Sequence, residues 1–202
     1  MSNVVLESPL AALTGLGRRV LSVDGARVTL GESAFTDMLN IRGNAAHAGF
    51  VEAVHSATGL ALPHVANTAS LGPTGQLLWL GPDEWVLKFP PSTAAYQSPS
   101  PAEAMENRLR SALAGQHVSL VPVGHGYTTL SVQGEGAADL LSRGCPLDFH
   151  PRVFAAGTVA QSHIAKAGAT LLCLAAGTHY ELTVRRSFAD YLYRWLCEAG
   201  AA

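Results

Sequence analysis

The chain repeats itself, and that repetition constrains its fold more than any other feature. Leu39-Asn40-Ile41-Arg42-Gly43 returns as Leu130-Ser131-Val132-Gln133-Gly134 at an offset of 91. Leu77-Leu78-Trp79-Leu80 returns as Leu171-Leu172-Cys173-Leu174 at an offset of 94, and the run Trp85 to Ser92 aligns with Tyr180 to Ser187 at 95. The drift in offset is what small changes in loop length produce. A helical pattern follows the first and third of these blocks in both halves, so each half reads strand, helix, strand, strand, strand, helix. One such unit is an antiparallel-rich sheet with helices on one face, an α+β layer arrangement. The expected organisation is one domain over residues 1–202, built from two pseudo-repeat lobes at about 35–114 and 118–200 and preceded by an N-terminal hairpin at 18–30.

Local signals fill in the units. Arg18 to Val23 and Arg27 to Leu30 alternate in polarity around Asp24-Gly25, a hairpin turn pair. Asn44 can cap a helix from Ala45 to about Ala57, with Gly59 and Pro63 as stops. Gly72-Pro73-Thr74-Gly75 and Gly81-Pro82-Asp83 divide three strands at Thr68 to Leu71, Gln76 to Leu80 and Trp85 to Phe89. Pro90 to Pro99 carries three prolines and no charge and reads as a linker. Ser100-Pro101-Ala102-Glu103 is a capping box with proline at the first helical position. In the second half, strands are expected at Val118 to Val123, Tyr127 to Gln133, Val159 to Ile164, Thr170 to Ala175 and Tyr180 to Val184. A short helix is expected at Ala137 to Arg143. The last helix is expected to start with Ser187 as its cap and to bury Phe188, Tyr191, Leu192, Trp195 and Leu196 along one side.

Composition excludes several functions. A chain of 202 residues can bury about 70% of its extended surface without disulfides or metal. Only 14% of residues are charged, against roughly 25% in ordinary soluble domains, which points to a surface covered by a partner. A net charge of −2 supplies no field for a phosphate backbone, so no nucleic acid is expected. No apolar run reaches the ~18 residues that span a bilayer, so no membrane is expected either. Met1 to Leu10 lacks the basic and apolar regions of a secretory signal. Cys145, Cys173 and Cys197 are odd in number and widely spaced, which suits reduced thiols in a cytoplasmic protein. With no CxxC and no HExxH, a zinc or iron–sulfur site is not expected.

Five segments resemble chemistry and are weighed against plainer readings. His125 is flanked by Gly124 and Gly126, which would admit a ligand but also make a tight turn. Cys145 lies in Arg143-Gly144-Cys145-Pro146-Leu147-Asp148 with His150 nearby, yet it follows a helix C-terminus, the wrong end to stabilise a thiolate. Asp83-Glu84 pairs two carboxylates before a strand, a pattern that more often faces water than does acid–base work. Gly134-Glu135-Gly136 lacks the third glycine of a dinucleotide loop, and Glu135 would repel phosphate. Arg185-Arg186 before Ser187 is suited to an acidic group or simply to water. No catalytic, cofactor-binding or metal-ligating residue is assigned, and the pattern suits a structural or binding subunit.

The order Leu80-Gly81-Pro82-Asp83-Glu84-Trp85, Gly124-His125-Gly126, Leu140 to Asp148, His150-Pro151 and Arg186-Ser187-Phe188, with Glu7-Ser8-Pro9-Leu10 at the start, resembles the gamma subunits of heterotetrameric sarcosine oxidase. The resemblance implies a non-catalytic structural subunit of a cytoplasmic complex that demethylates sarcosine to glycine, forming hydrogen peroxide and methylenetetrahydrofolate or formaldehyde. It also implies that FAD, FMN, NAD and tetrahydrofolate are held by other subunits and zinc by delta. The implied partners are alpha, beta and delta, mainly alpha, and the implied fold is that of the folate-binding glycine-cleavage aminomethyltransferase. The alternative is a folate-binding or one-carbon-transfer protein acting alone. Related folate proteins carry Lys-Gly-Cys-Tyr-x-Gly-Gln-Glu, of which only Gly144 and Cys145 match, with Arg143 and Pro146 in the flanking places.

Overall fold

A computed structural model describes residues 7–14, 18–33, 35–92 and 98–201. In chain order the elements of the first half are α1 (Ala11–Thr14), β1 (Arg19–Val23), β2 (Ala26–Ser33), β3 (Met38–Arg42), α2 (Ala48–Thr58), β4 (Ala69–Gly72), β5 (Gly75–Gly81), β6 (Glu84–Lys88) and α3 (Pro101–Ala112). The second half adds β7 (Ser119–Pro122), β8 (Tyr127–Gln133), α4 (Ala137–Ser142), β9 (Val159–Ile164), β10 (Ala167–Ala175), β11 (His179–Arg185) and α5 (Arg186–Ala199), with a 3-10 turn at Gly124–Gly126. The described residues form two compact units, one of residues 35–125 and one of 7–33 with 126–201.

The first unit is a five-stranded antiparallel sheet in the order β4-β5-β6-β3-β7. Leu39, Ile41, Trp85, Leu87 and Leu120 project from it onto Phe50 and Val54 of α2 and Met105 and Leu109 of α3. Trp85 packs its ring 5.7 Å from that of Phe50 and donates its indole N–H to the Pro63 carbonyl at 2.8 Å. The second unit is a six-stranded sheet in the order β1-β2-β8-β11-β10-β9. Leu30, Leu130, Val132, Tyr180 and Leu182 meet Leu140 of α4 and Leu192 and Leu196 of α5. Tyr180, which aligns with Trp85, sits edge-on to Phe149 at 5.4 Å, and its hydroxyl accepts from the Gly177 N–H at 3.1 Å. Each repeat thus buries an aromatic body whose polar tip is satisfied by loop backbone.

The duplication extends to strand register. Leu39 lies opposite Leu87, and Leu130 opposite Leu182; Leu77 lies opposite Leu87, and Leu171 opposite Leu182. The β5–β6 ladder slips between Trp79 and Gly81, and the β10–β11 ladder slips between the aligned Cys173 and Ala175. Two sheets sharing pairing and bulge position are copies of one α+β unit, since a bulge fixes local twist and register together.

The lobe boundaries need correction. β7, expected in the second lobe, pairs with β3 in the first sheet, placing Ile41 opposite Leu120. The N-terminal hairpin is not a separate element, because β2 pairs with β8 in the second sheet and sets Leu30 opposite Val132. β2 and β7 precede β3 and β8 in their repeats, so the repeats have exchanged their first strands. The alternating pattern that marks a strand encodes which face is buried and not which sheet accepts it.

Smaller corrections concern helix starts. Asn44 makes a turn ahead of α2, its Oδ1 accepting from the Ala46 N–H at 2.9 Å, and the helix begins at Ala48 with His47 at the cap position. Its short side chain competes with the helix for local amides. β11 runs straight into α5, with Arg185 as N-cap and no side-chain cap, so Ser187 is already helical. The buried face of α5 is Ala189, Leu192, Tyr193, Leu196 and Cys197, whereas Phe188 and Tyr191 are 41% and 37% exposed. Small Ala189, fully buried, lets the helix backbone approach the sheet and turns those two aromatics outward. The capping box is formed: Ser100 Oγ accepts from the Glu103 N–H, and Glu103 accepts from the Ser100 N–H at 2.7 Å. Of the Pro90 to Pro99 linker, residues 93–97 lie outside the described residues.

Candidate functional site

Most charged or nucleophilic groups singled out in the sequence bind their own unit's framework. His125 sits exposed in the 3-10 turn, and the turn explains its glycine neighbour. A Cβ at Gly124 would lie 2.7 Å from Asp37 Oδ1 and 2.9 Å from the Met38 amide, so glycine lets β3 approach. Asp37 Oδ2 in turn accepts from the Ala102 N–H at 2.8 Å, fastening the start of α3 to β3. Asp83 pairs with Arg42 at 2.9 Å, and Glu84 accepts from Asn40 Nδ2 at 2.8 Å, so the two carboxylates pin the end of β3. At Gly134, φ is +133° and a Cβ would overlap the Arg27 carbonyl, so the glycine-rich segment is a packing device for β2.

The Cys145 loop is similarly occupied. Cys145 is buried, and its thiol lies 3.8 Å from Ser162 Oγ. Arg143 turns away from it to Asp24 Oδ2 at 2.8 Å and to the Ala199 carbonyl at 2.5 Å. His150 Nδ1 accepts from the Arg152 N–H at 3.2 Å. The structure therefore does not bring Cys145, Arg143 and His150 together as a thiolate centre. No group of three or more His, Cys, Asp or Glu is placed to hold a metal among the described residues. No helix among them is long and apolar enough to cross a membrane.

Two concavities that sequence reasoning missed lie on the face of the second sheet opposite its helices. Along β11, Tyr180, Leu182 and Val184 are buried, so His179, Glu181, Thr183 and Arg185 alternate to the other face. At one end, a cavity of about 160 Å³ is lined by Arg18, Glu32, Ser131, His179 and Glu181. Gly31 makes it: a Cβ there would come 3.1 Å from Arg18 Cγ, so the arginine stem crosses β2 over the missing side chain. His179 Nε2 and Ser131 Oγ share a hydrogen bond at 3.2 Å. Burial pulls the His179 pKa below its usual value, the Arg18 charge adds to this, and Glu181 opposes it. Glu32 is spent on structure, accepting from Thr128 Oγ1 at 2.5 Å and from Ser8 Oγ. The cavity therefore sets a hydrogen-bonded Ser131–His179 pair beside Glu181 and the Arg18 guanidinium.

At the other end, a groove of about 430 Å³ is bordered by Tyr127, Gly168, Thr170, Thr183, Arg185 and Phe188. The Arg185 guanidinium carbon lies over the Tyr127 ring, 5.4 Å from its centroid, a cation–π contact. The sequence signals for these places were the Arg185-Arg186 pair at the groove and two strand glycines, Gly31 and Gly168, which mark close approach or open space in a sheet.

Residues 42–202 match the family model described as the sarcosine oxidase gamma subunit family. The chain belongs to that family. The sarcosine oxidase subunit gamma of Corynebacterium sp. (strain U-96) is 31% identical, over 98% of this chain and 91% of that one. The structure is similar to a chain of the heterotetrameric sarcosine oxidase from Corynebacterium sp. U-96 in complex with pyrrole 2-carboxylate, with a TM-score of 0.82 and 27% identity. That likeness covers 96% of this chain and 94% of the other. The glycine cleavage system aminomethyltransferase T from Bartonella henselae shares the fold, at a TM-score of 0.59 and 16% identity over 96% of this chain and 57% of that one. The gamma-family fold is thus the duplicated α+β body of the aminomethyltransferases.

Proposed function

We propose that this chain is the non-catalytic, structural gamma subunit of a cytoplasmic heterotetrameric sarcosine oxidase. That complex converts sarcosine to glycine and hydrogen peroxide, with the one-carbon unit leaving on tetrahydrofolate or as formaldehyde. FAD, FMN, NAD and the folate are held by the other subunits, and alpha is the main partner beside beta and delta. The observation that carries this reading is the near-complete likeness to one chain of a heterotetrameric oxidase, 94% of whose length is covered.

The use of the charged side chains supports a scaffold. Arg42, Asp83, Asp37, Arg143 and Glu32 each hold a strand end, a helix start or a turn of their own unit. The segment that aligns with the motif of related folate proteins is committed to its own unit: Cys145 is buried and Arg143 reaches Asp24. The test is co-expression with and without this chain, followed by native mass measurement and sarcosine turnover. With the chain, a four-chain complex is expected; without it, the remaining subunits should lose assembly or stability. Full assembly and turnover in its absence, or micromolar tetrahydrofolate binding by the isolated chain, would overturn the reading.

A further inference from the structure

We propose that the groove at the start of α5 is where this chain docks a segment of a partner subunit presenting a carboxylate beside an apolar side chain. The inference rests on the subunit reading above and adds the surface and the chemistry recognised there. Arg185 and Tyr127 are paired residues of the β8–β11 ladder, so sheet register fixes the guanidinium against the ring. A guanidinium carries five N–H donors, so one held over a ring keeps donors for a carboxylate, which it takes through two parallel hydrogen bonds.

The surroundings select the same occupant. Besides Arg185, the groove is lined by aromatic rings, hydroxyls, an amide and small residues, with no carboxylate among the described lining residues. An incoming anion therefore meets one held cation and no competing charge. Phe188 stands one helical turn beyond Arg185 at 41% exposure, and Tyr191 follows on the same flank at 37%. Exposed aromatics next to an ordered arginine are the side chains that dominate binding energy at protein interfaces. Gly168 faces open space and leaves the floor clear for a side chain to enter. A second copy of this chain is the poorer occupant, because a two-fold pairing through the groove would bring Arg185 and Arg186 toward their own copies.

The test uses the chain with its own co-expressed oxidase subunits. Arg185→Glu, Arg185→Gln, Phe188→Ser and, as control, Val20→Ser are compared for reconstitution affinity and for melting of the isolated chain. Arg185 and Phe188 are exposed, so melting should move by less than about 2 °C. Arg185→Glu and Phe188→Ser should each weaken assembly at least about tenfold, Arg185→Gln less, and Val20→Ser not at all. Wild-type affinity should fall as salt rises, and that dependence should flatten in Arg185→Gln. Wild-type assembly matched by both Arg185→Glu and Phe188→Ser would overturn the docking site alone. Failure of the wild-type chain to assemble would instead remove the subunit reading and this inference with it. A homodimer broken by Phe188→Ser would overturn the choice of occupant.

Discussion

At the scale of single residues, the reactive groups are kept from reacting. Cys145, Cys173 and Cys197 are all free and buried. Burial pushes the Cys173 thiol up to about 11, and it raises Cys197 as well. A thiolate is the nucleophile, so the native chain should resist an aromatic disulfide reagent at neutral pH and release three thiols once denatured. The sign of the accompanying pH effect follows from linkage. An unfolded thiol, near its ordinary value of 9.0, loses its proton while folded Cys173 keeps it until about 11. Stability from this group is present below pH 9 and is lost as pH rises toward 11. Tyr180 and Tyr193 shift upward for the same reason of burial and add to the alkaline loss. The check is therefore thermal melting of wild type against Cys173→Ala across that window, where the variant should show the shallower decline. Rapid labelling of the native chain would refute this account.

At the scale of elements, legibility tracked the distance between interacting groups. The box at Ser100 and Glu103 was legible because both partners lie within one helical turn, and it is formed. Ser100→Ala should lower stability by about 1 kcal/mol in a denaturant titration. Loss of α3 is not expected, because Asp37 accepts from Ala102 at the same helix end. That second anchor comes from 65 residues away and had no local signature. The start of α5 was misread for a related reason. Ser187 has the right side chain for a cap, but β11 delivers the chain already turning at Arg186. The aromatic stripe was misread by rotation: helical spacing identified a set of apolar residues, while the close seat of Ala189 decided which of them face the sheet. The cavity was hidden because Arg18, Ser131 and His179 meet only through the pairing of β1, β2, β8 and β11, and the groove because Arg185 meets Tyr127 only through the β8–β11 ladder.

At the scale of the whole molecule, the exchanged strands tie the two halves of the sequence into one folding problem. Fragments 1–95 and 96–202, cut between α3 and the strands before it, should each lack a cooperative melting transition when made alone. Each would be missing the strand that borders β3 or β8. Mixed, they should regain a transition and native circular dichroism; cooperative folding of either fragment by itself would contradict the exchange. The sequence alone determined the repeat, the order of strands and helices within it, and the scarcity of charge that suits a covered subunit. Its motifs also pointed to the family to which the chain belongs. Those are properties of periodicity, turn chemistry and composition, written in neighbouring residues. Only the tertiary structure decided that β2 and β7 change sheets, that Phe188 and Tyr191 face outward, and that Arg185 is held against Tyr127. Strand partnership and helix rotation are set by packing between residues far apart in the chain, and an amphipathic pattern fixes the buried face without naming what will bury it.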